Sequence, residues 1–264
     1  MTRFNQKIKR VVVKVGTSSI THKNGDVNLS KIEDLAWAIS NLKDHGIEVV
    51  LVSSGSIGCG TKYLRLKERP RDTIGKQAAS AVGQVALMNT YKKAFNDHGY
   101  NTAQILITKQ VETDPMMYQN TINVFNALLE MNVVPIINEN DTISTFEIEY
   151  GDNDTLSAVV ARFIQADLLI LLSDIDGLYD DDPRTNPEAK LIDEVNQFDD
   201  SLYGMAKDSK NHFGTGGMLT KINAAKLCNE RDINVVIANG KDMNILRKIV
   251  RGDHIGTIFR RRKE

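Results

Sequence analysis

The chain has 264 residues, a formal net charge of -1, 41% hydrophobic residues and 25% charged residues. This suits one large α/β unit and leaves no electrostatic footprint for nucleic acid or an anionic membrane surface. Two cysteines, Cys59 and Cys228, exclude a disulfide framework or zinc quartet, and without a bilayer-length apolar run or a signal-peptide pattern a cytoplasmic protein is expected.

In chain order, "VVVKV" (11–15) reads as a buried strand and the following "GTSS" as a turn. Ser30 with Glu33 makes a capping box ahead of Ile32, Leu35, Ala36, Ile39 and Leu42, which share one helix face, and Gly46 stops that helix. Residues 48–53 form the next strand and run into the glycine-rich "SGSIGCG". A helix over 77–96 closes near Gly99, followed by a strand over 102–108, a helix over 120–132 and a strand over 133–138. "GDNDTLSAVVARF" (151–163) opens a helix whose buried stripe is Leu156, Val159, Val160 and Phe163, with Asp154 as its cap. Next come a strand over 168–173, a hairpin near Gly177 and the polar loop "DDDPRTNP". A helix over 218–231, a strand over 235–238 and a helix over 245–250 follow, and the basic run 260–263 reads as a solvated end. Strands separated by helices imply βαβ crossovers: a single α/β domain over 1–264, a three-layer sandwich with a mostly parallel central sheet.

Ligands of such sheets bind at the carboxyl ends of the strands, where this chain concentrates glycine and polar residues. Gly16-Thr17-Ser18, Ser54-Gly55-Ser56, Asn138–Asp141 and Ser173-Asp174 each follow a strand, and together they suggest an anion site built on backbone amides. "GTGGMLTK" (214–221) runs three glycines into a helix carrying Lys221, which can hold polyphosphate while the lysine neutralises charge. Lys14 sits inside a strand that should be buried on both faces, so its ammonium needs an anion. That anion is either a protein carboxylate or a ligand phosphate, and Asp174 could serve as partner or as an orienting group. P-loop, G-x-G-x-x-G and protein-kinase signatures are absent, as are a G-x-S-x-G elbow and any metal-ligand spacing among the five histidines.

Six segments, "VVVKVGTSS", "VVLVSSGSIGCG", "PIINENDTIS", "GDNDTLSAVVA", "LLSDIDGLYDDDPRTNP" and "GTGGMLTK", occur in one order across nearly the whole chain. As a set they resemble the amino-acid kinase family, and within it the branch that phosphorylates the side chain of free L-glutamate. The resemblance implies ATP as phosphoryl donor and Mg²⁺ held mainly by the nucleotide phosphates, with no dedicated protein metal ligand required. It places Lys14, Gly16, Ser173, Asp174 and Thr215, Gly216, Gly217, Met218, Leu219, Thr220 and Lys221 at the ATP phosphates, with Lys14, Lys221 and Asp174 as the catalytic groups. Ser54, Asp141 and Asn153 match the substrate-binding positions, with Asp152 beside them. It further implies a homo-oligomer, feedback inhibition by proline acting around 140–150, and a kinase domain without the C-terminal PUA domain that many members carry. Two rivals stay open: a kinase of the same fold acting on N-acetylglutamate, and an amino-acid sensor that kept the fold.

Overall fold

Each apolar run becomes a strand because it can bury both faces. The strands are β1 (Arg10–Val15), β2 (Glu48–Ser53), β3 (Thr102–Ile107), β4 (Val134–Glu139), β5 (Leu168–Ser173), β6 (Glu194–Val195), β7 (Asn234–Asn239) and β8 (Thr257–Phe259). They form one eight-stranded sheet in the order β3-β4-β2-β1-β5-β7-β8-β6, in which only the β7–β8 pairing is antiparallel. The helices are α1 (Thr17–Ile20), α2 (Leu29–Asp44), α3 (Ser56–Tyr63), α4 (Thr73–Asn96), α5 (Gln110–Thr113), α6 (Pro115–Glu130), α7 (Asn153–Phe163), α8 (Asp200–Lys207), α9 (Met218–Asn229) and α10 (Ile245–Arg251). This computed structural model describes residues 3–4, 6–22, 26–143, 153–207 and 217–261.

Two apolar layers sandwich the sheet. On one face Val11, Val13 and Val15 of β1 pack with Ile32, Leu35 and Ile39 of α2, Leu87 and Tyr91 of α4, and Leu246 and Ile249 of α10. On the other, Val12, Val50, Leu169 and Leu171 pack with Phe125 of α6, Leu156 and Val160 of α7, and Ile222 of α9. Strand side chains alternate, so Lys14 shares the face of Val12 and is directed toward α7 and α9. In register it lies opposite Val52 of β2 and Leu171 of β5, near the carboxyl end of the central strand.

Local chemistry moved several element boundaries. Asn28, not Ser30, caps α2: its side chain accepts from the Lys31 N–H at 3.1 Å, while Ser30 already lies inside the helix. The expected turn after β1 contains the short helix α1. Asp72 and Asp114 accept from the first-turn amides of α4 and α6, which therefore start at Thr73 and Pro115 rather than 77 and 120. The turn at Gly177 is pressed onto β8, where a Cβ would come within 2.6 Å of Thr257 Oγ1. The antiparallel contact expected there falls further out, as a single bridge between Tyr179 and Leu191. Arg260 is no solvated end either; it pairs with Glu194 at 2.7 Å and donates to the Arg3 carbonyl at 2.6 Å.

Candidate active site

The carboxyl end of β1 carries the most concentrated charge in the interior. Lys14 is 6% exposed, Lys221 on α9 is 5% exposed, and Asp154 in the first turn of α7 is fully buried. Lys14 Nζ lies 2.6 Å from Asp154 Oδ1 and Lys221 Nζ lies 3.0 Å from Asp154 Oδ2. The Thr220 hydroxyl is 2.9 Å from Asp154 Oδ2 and 2.7 Å from the Gly217 carbonyl. Burial alone would push the Asp154 carboxyl up; the Lys14 and Lys221 ammoniums outweigh it and hold the group down at about 2. Two ammoniums against one carboxylate leave the cluster with one net positive charge, held almost out of solvent. That is what a site handling transferable negative charge requires.

The sequence reads Asp154 as a helix cap and Asp174 as a partner or orienting group for Lys14; in the structure the partner of Lys14 is Asp154. Asp154 lies within the helix and joins two lysines from separate elements, and its position in the first turn of α7 adds the favourable end of the helix dipole. Asp174 is exposed at the end of β5, where its carboxylate accepts from the Ser173 hydroxyl at 3.2 Å.

One residue before Asp154, Asn153 faces a different environment. Its Nδ2 donates to Ser54 Oγ at 2.7 Å and to Asn138 Oδ1 at 2.9 Å, which uses both amide hydrogens and leaves its Oδ1 free to accept. Ser54 follows β2, its amide bonded to the Val15 carbonyl at 3.2 Å, and the hydroxyl that accepts from Asn153 retains its own proton for donation. Asn138, at the end of β4, donates to Ser56 Oγ at 3.3 Å. Asp141 accepts from Ser56 Oγ at 3.3 Å and from Ser80 Oγ at 2.5 Å. The three residues expected at the substrate, Ser54, Asn153 and Asp141, thus share one hydrogen-bonded patch.

Two helices must cross closely for that patch to exist. A Cβ on Gly60 of α3 would sit 1.7 Å from the Ala79 carbonyl, and one on Gly83 of α4 would sit 1.8 Å from the Ser56 carbonyl. Only glycine permits this approach, and it brings the Ser56 and Ser80 hydroxyls to 3.0 Å. Ser80 was missed as a site residue, while Ser56 and Asn138 stood only among the polar strand-end groups of an anion site. Small residues at 56 and 60 face small residues at 79, 80 and 83 where the helices cross, and nothing in the chain's spacing singles out Ser80 among them.

Beside the lysines, Ile175, Leu178, Met205 and Met218 line a mainly apolar cleft together with Tyr179, Asp181, Asp182, Arg184 and Lys221. Such a cleft suits a planar base whose phosphates point toward the ammoniums. Gly217 stands at the start of α9, where none of the described residues would meet a Cβ within 4 Å; Met218 is buried and Leu219 is 40% exposed. Gly16 follows Lys14, and a Cβ there would lie 3.7 Å from Lys14 Nζ. Asp152, Thr215 and Gly216 lie outside the described residues, as does the stretch 144–150. Among the described residues no group of three or more His, Cys, Asp or Glu side chains could hold a metal ion.

Residues 9–239 match the family model described as the amino acid kinase family, and the chain belongs to that family. It is 50% identical over 250 residues to the glutamate 5-kinase of Thermoanaerobacter sp. strain X514, covering 95% of this chain and 67% of that protein. Identity is 45% over 260 residues to the glutamate 5-kinase of Listeria monocytogenes strain EGD-e, covering 97% and 94% of the two chains. For the glutamate 5-kinase of Clostridium acetobutylicum it is 48% over 257 residues, covering 97% and 96%. Within its family, then, the chain stands with the glutamate 5-kinases. Among solved structures, UMP kinase from Bacillus anthracis superposes with a TM-score of 0.68 at 16% identity, covering 98% of each chain. Isopentenyl phosphate kinase from T. acidophilum gives 0.63 at 18%, covering 96% of this chain and 100% of that one. At such identities these two speak for the fold alone.

Proposed function

We propose that this chain transfers the γ-phosphoryl group of ATP to the side-chain carboxylate of L-glutamate, giving L-glutamate 5-phosphate and ADP, the first step of proline biosynthesis. The observation that carries this reading is the adjacency of Asn153 and Asp154. One turn of α7 touches a hydrogen-bonding patch suited to an amino acid and a buried cationic cluster suited to a phosphoryl group.

The nucleophile is the substrate's own carboxylate, whose reference pKa is about 4.3, so it is ionised at neutral pH and needs no protein base. The barrier is the meeting of two anions and the charge on the transferring group. Lys14 and Lys221 stabilise that charge, and Asp154 keeps both ammoniums in place, so the Lys14–Asp154 pair is part of the machinery and not merely structural. The glutamate ammonium goes to the Asp141 carboxylate and Asn153 Oδ1, and its α-carboxylate to the Ser54 hydroxyl and nearby backbone amides. Asp152 completes this end.

The nucleotide lies in the Ile175–Leu178–Met218 cleft, which Ser173 and Lys221 also line; the resemblance assigns its phosphates to these two with Asp174 and the glycine-rich run that leads into α9. Mg²⁺ bound to those phosphates supplies further charge neutralisation, and Asp174 is the exposed carboxylate nearest that end of β5. The same reading makes the protein a cytoplasmic homo-oligomer under feedback inhibition by proline. Exposed Val85, Leu106 and Val124 on α4, β3 and α6, along the β3 edge of the sheet, support self-association. Among the described residues no helix is long and apolar enough to cross a membrane.

A coupled ADP-release assay with L-glutamate, L-aspartate and N-acetyl-L-glutamate tests the reading. L-Glutamate should be strongly preferred, because acetylation removes the charge that Asp141 meets and leaves that carboxylate unpaired. Efficient turnover of N-acetylglutamate would promote the rival kinase, and no ADP release with any of the three would promote the sensor.

A further inference from the structure

Asp141 follows β4 in a turn, where hydroxyls of α3 and α4 reach its carboxylate. The hydroxyls around it obey a simple count: each carries one proton. Ser80 Oγ stands 2.5 Å from Asp141 Oδ2 and 3.0 Å from Ser56 Oγ, so its proton goes to the nearer, charged acceptor. Ser56, 3.0 Å from the Ser80 oxygen, gives its own proton to the same carboxylate oxygen at 3.3 Å. Ser56 in turn accepts from Asn138 Nδ2 at 3.3 Å, and Asn138 Oδ1 accepts from Asn153 at 2.9 Å. The donors converge on Asp141 Oδ2: Asn153 gives to Asn138, Asn138 to Ser56, and Ser56 and Ser80 each to the carboxylate. Hydrogen bonds in series polarise one another, and here the polarisation ends on the carboxylate. The links are buried: Ser80 is 1% exposed, Ser56 3% and Asn138 6%.

We infer that Ser80 is a positioning residue for substrate recognition. Directly, and beside the Asn138–Ser56 relay that reaches the same oxygen, it orients the Asp141 carboxylate toward the α-ammonium of the bound amino acid. The relay also ties the two groups that read the ammonium, Asp141 and Asn153 Oδ1, into one rigid unit. Ser80 touches neither substrate nor nucleotide. It acts only through Asp141, and the inference rests on the assignment of Asp141 to the glutamate ammonium.

Glutarate, which is glutamate without its α-amino group, separates the possibilities when compared with L-glutamate at saturating ATP. In Ser80→Ala, kcat/KM for glutamate should fall about tenfold to a hundredfold, the range for losing a hydrogen bond to a charged group. That loss should lie in glutamate KM, with kcat, ATP KM and kcat/KM for glutarate within about twofold of wild type. An equal fall for glutamate and glutarate would mean that Ser80 is merely structural, and no fall for either would remove it from the site; both overturn the inference. Asp141→Asn separates the two levels of argument. If it abolishes the preference for glutamate over glutarate while Ser80→Ala does not, only the Ser80 inference fails. If Asp141→Asn leaves the preference intact, the assignment of Asp141 itself fails and the inference falls with it. Ser56→Ala removes the second, longer hydrogen bond to the same carboxylate oxygen. It should give the same selective loss with a smaller factor, and it decides the matter should Ser80→Ala not fold.

Discussion

The two ends of the site, which meet at Asn153 and Asp154, are built from opposite materials. The phosphoryl end concentrates three ionised side chains that are almost out of solvent, with one net positive charge. The recognition end is mainly hydroxyls and carboxamides, with Asp141 as its charged member. A charge that develops during reaction is best met by fixed charge already desolvated, which acts most strongly in the transition state. A substrate that arrives with formed charges and a definite shape is best met by directed donors and acceptors, which act equally before and during reaction. Substitutions at the first end should therefore appear in kcat, and those at the second in KM.

Asp154→Asn should have the largest effect, because it leaves two buried ammoniums without their counter-ion. Breaking a buried ion pair from one side costs about 3–5 kcal/mol of stability. With the lysines no longer aimed, kcat should fall by on the order of 10³ or more. The pH dependence has a fixed sign. Asp154 is held down at about 2 against an ordinary 3.8, so its contribution to stability is present above about pH 4 and is lost as pH falls through about 2. Urea melts between pH 5 and 2 should show wild type losing stability across that window, with a flatter profile for Asp154→Asn. A variant with wild-type kcat would mean that the cluster is scaffold and that the contrast between the two ends is false.

Lys14→Ala comes next. It removes the positive charge nearest the end of β1, and kcat should drop by on the order of 10²–10³ while glutamate KM stays within a few-fold. Steady-state kinetics with both substrates varied provide the check. A change confined to glutamate KM would move Lys14 from the phosphoryl end to the recognition end. Lys221→Ala should follow the same pattern with a larger effect on ATP KM, because Lys221 also lines the nucleotide cleft.

Much of the scaffold was legible because its signals are local. Runs such as "LLILLS" have only one economical solution, a strand buried on both faces, and the helix stripe of Ile32, Leu35, Ala36, Ile39 and Leu42 follows from a 3.6-residue period. Lys14 was legible for the same reason, since a cation inside such a run demands an explanation. The strands β6 and β8, of two and three residues, are too short to carry any period. Asp154 was misread because the local rule that an acidic residue at a helix start is a cap explains it adequately. Its true partners lie on β1 and α9, and no spacing in the chain announces that these converge. Ser80 fails the same way: on its own helix it is an unremarkable small residue, and its role exists only where α4 crosses α3.

The smallest predicted effect tests the contrast most sharply. Thr220 touches Asp154 as Lys221 does, but it brings no charge, and its hydroxyl lies closer to the Gly217 carbonyl than to the carboxylate. If fixed charge is what matters at the phosphoryl end, losing this neutral donor should cost little even though it belongs to the cluster. Thr220→Val keeps the shape of the side chain and removes only the hydroxyl. The net worth of a neutral hydrogen bond is about 0.5–1.5 kcal/mol, so kcat should fall about two- to tenfold. The ATP and glutamate KM values should hardly move. Measured beside Lys14→Ala, a loss of 10² or more would show that the cluster works through hydrogen-bond direction, as the recognition end does, and the division between charge and direction would have to be abandoned. A loss within tenfold would mean that Asp154 is held chiefly by its two lysines, and that what α7 contributes at this end is one carboxylate placed between two ammoniums.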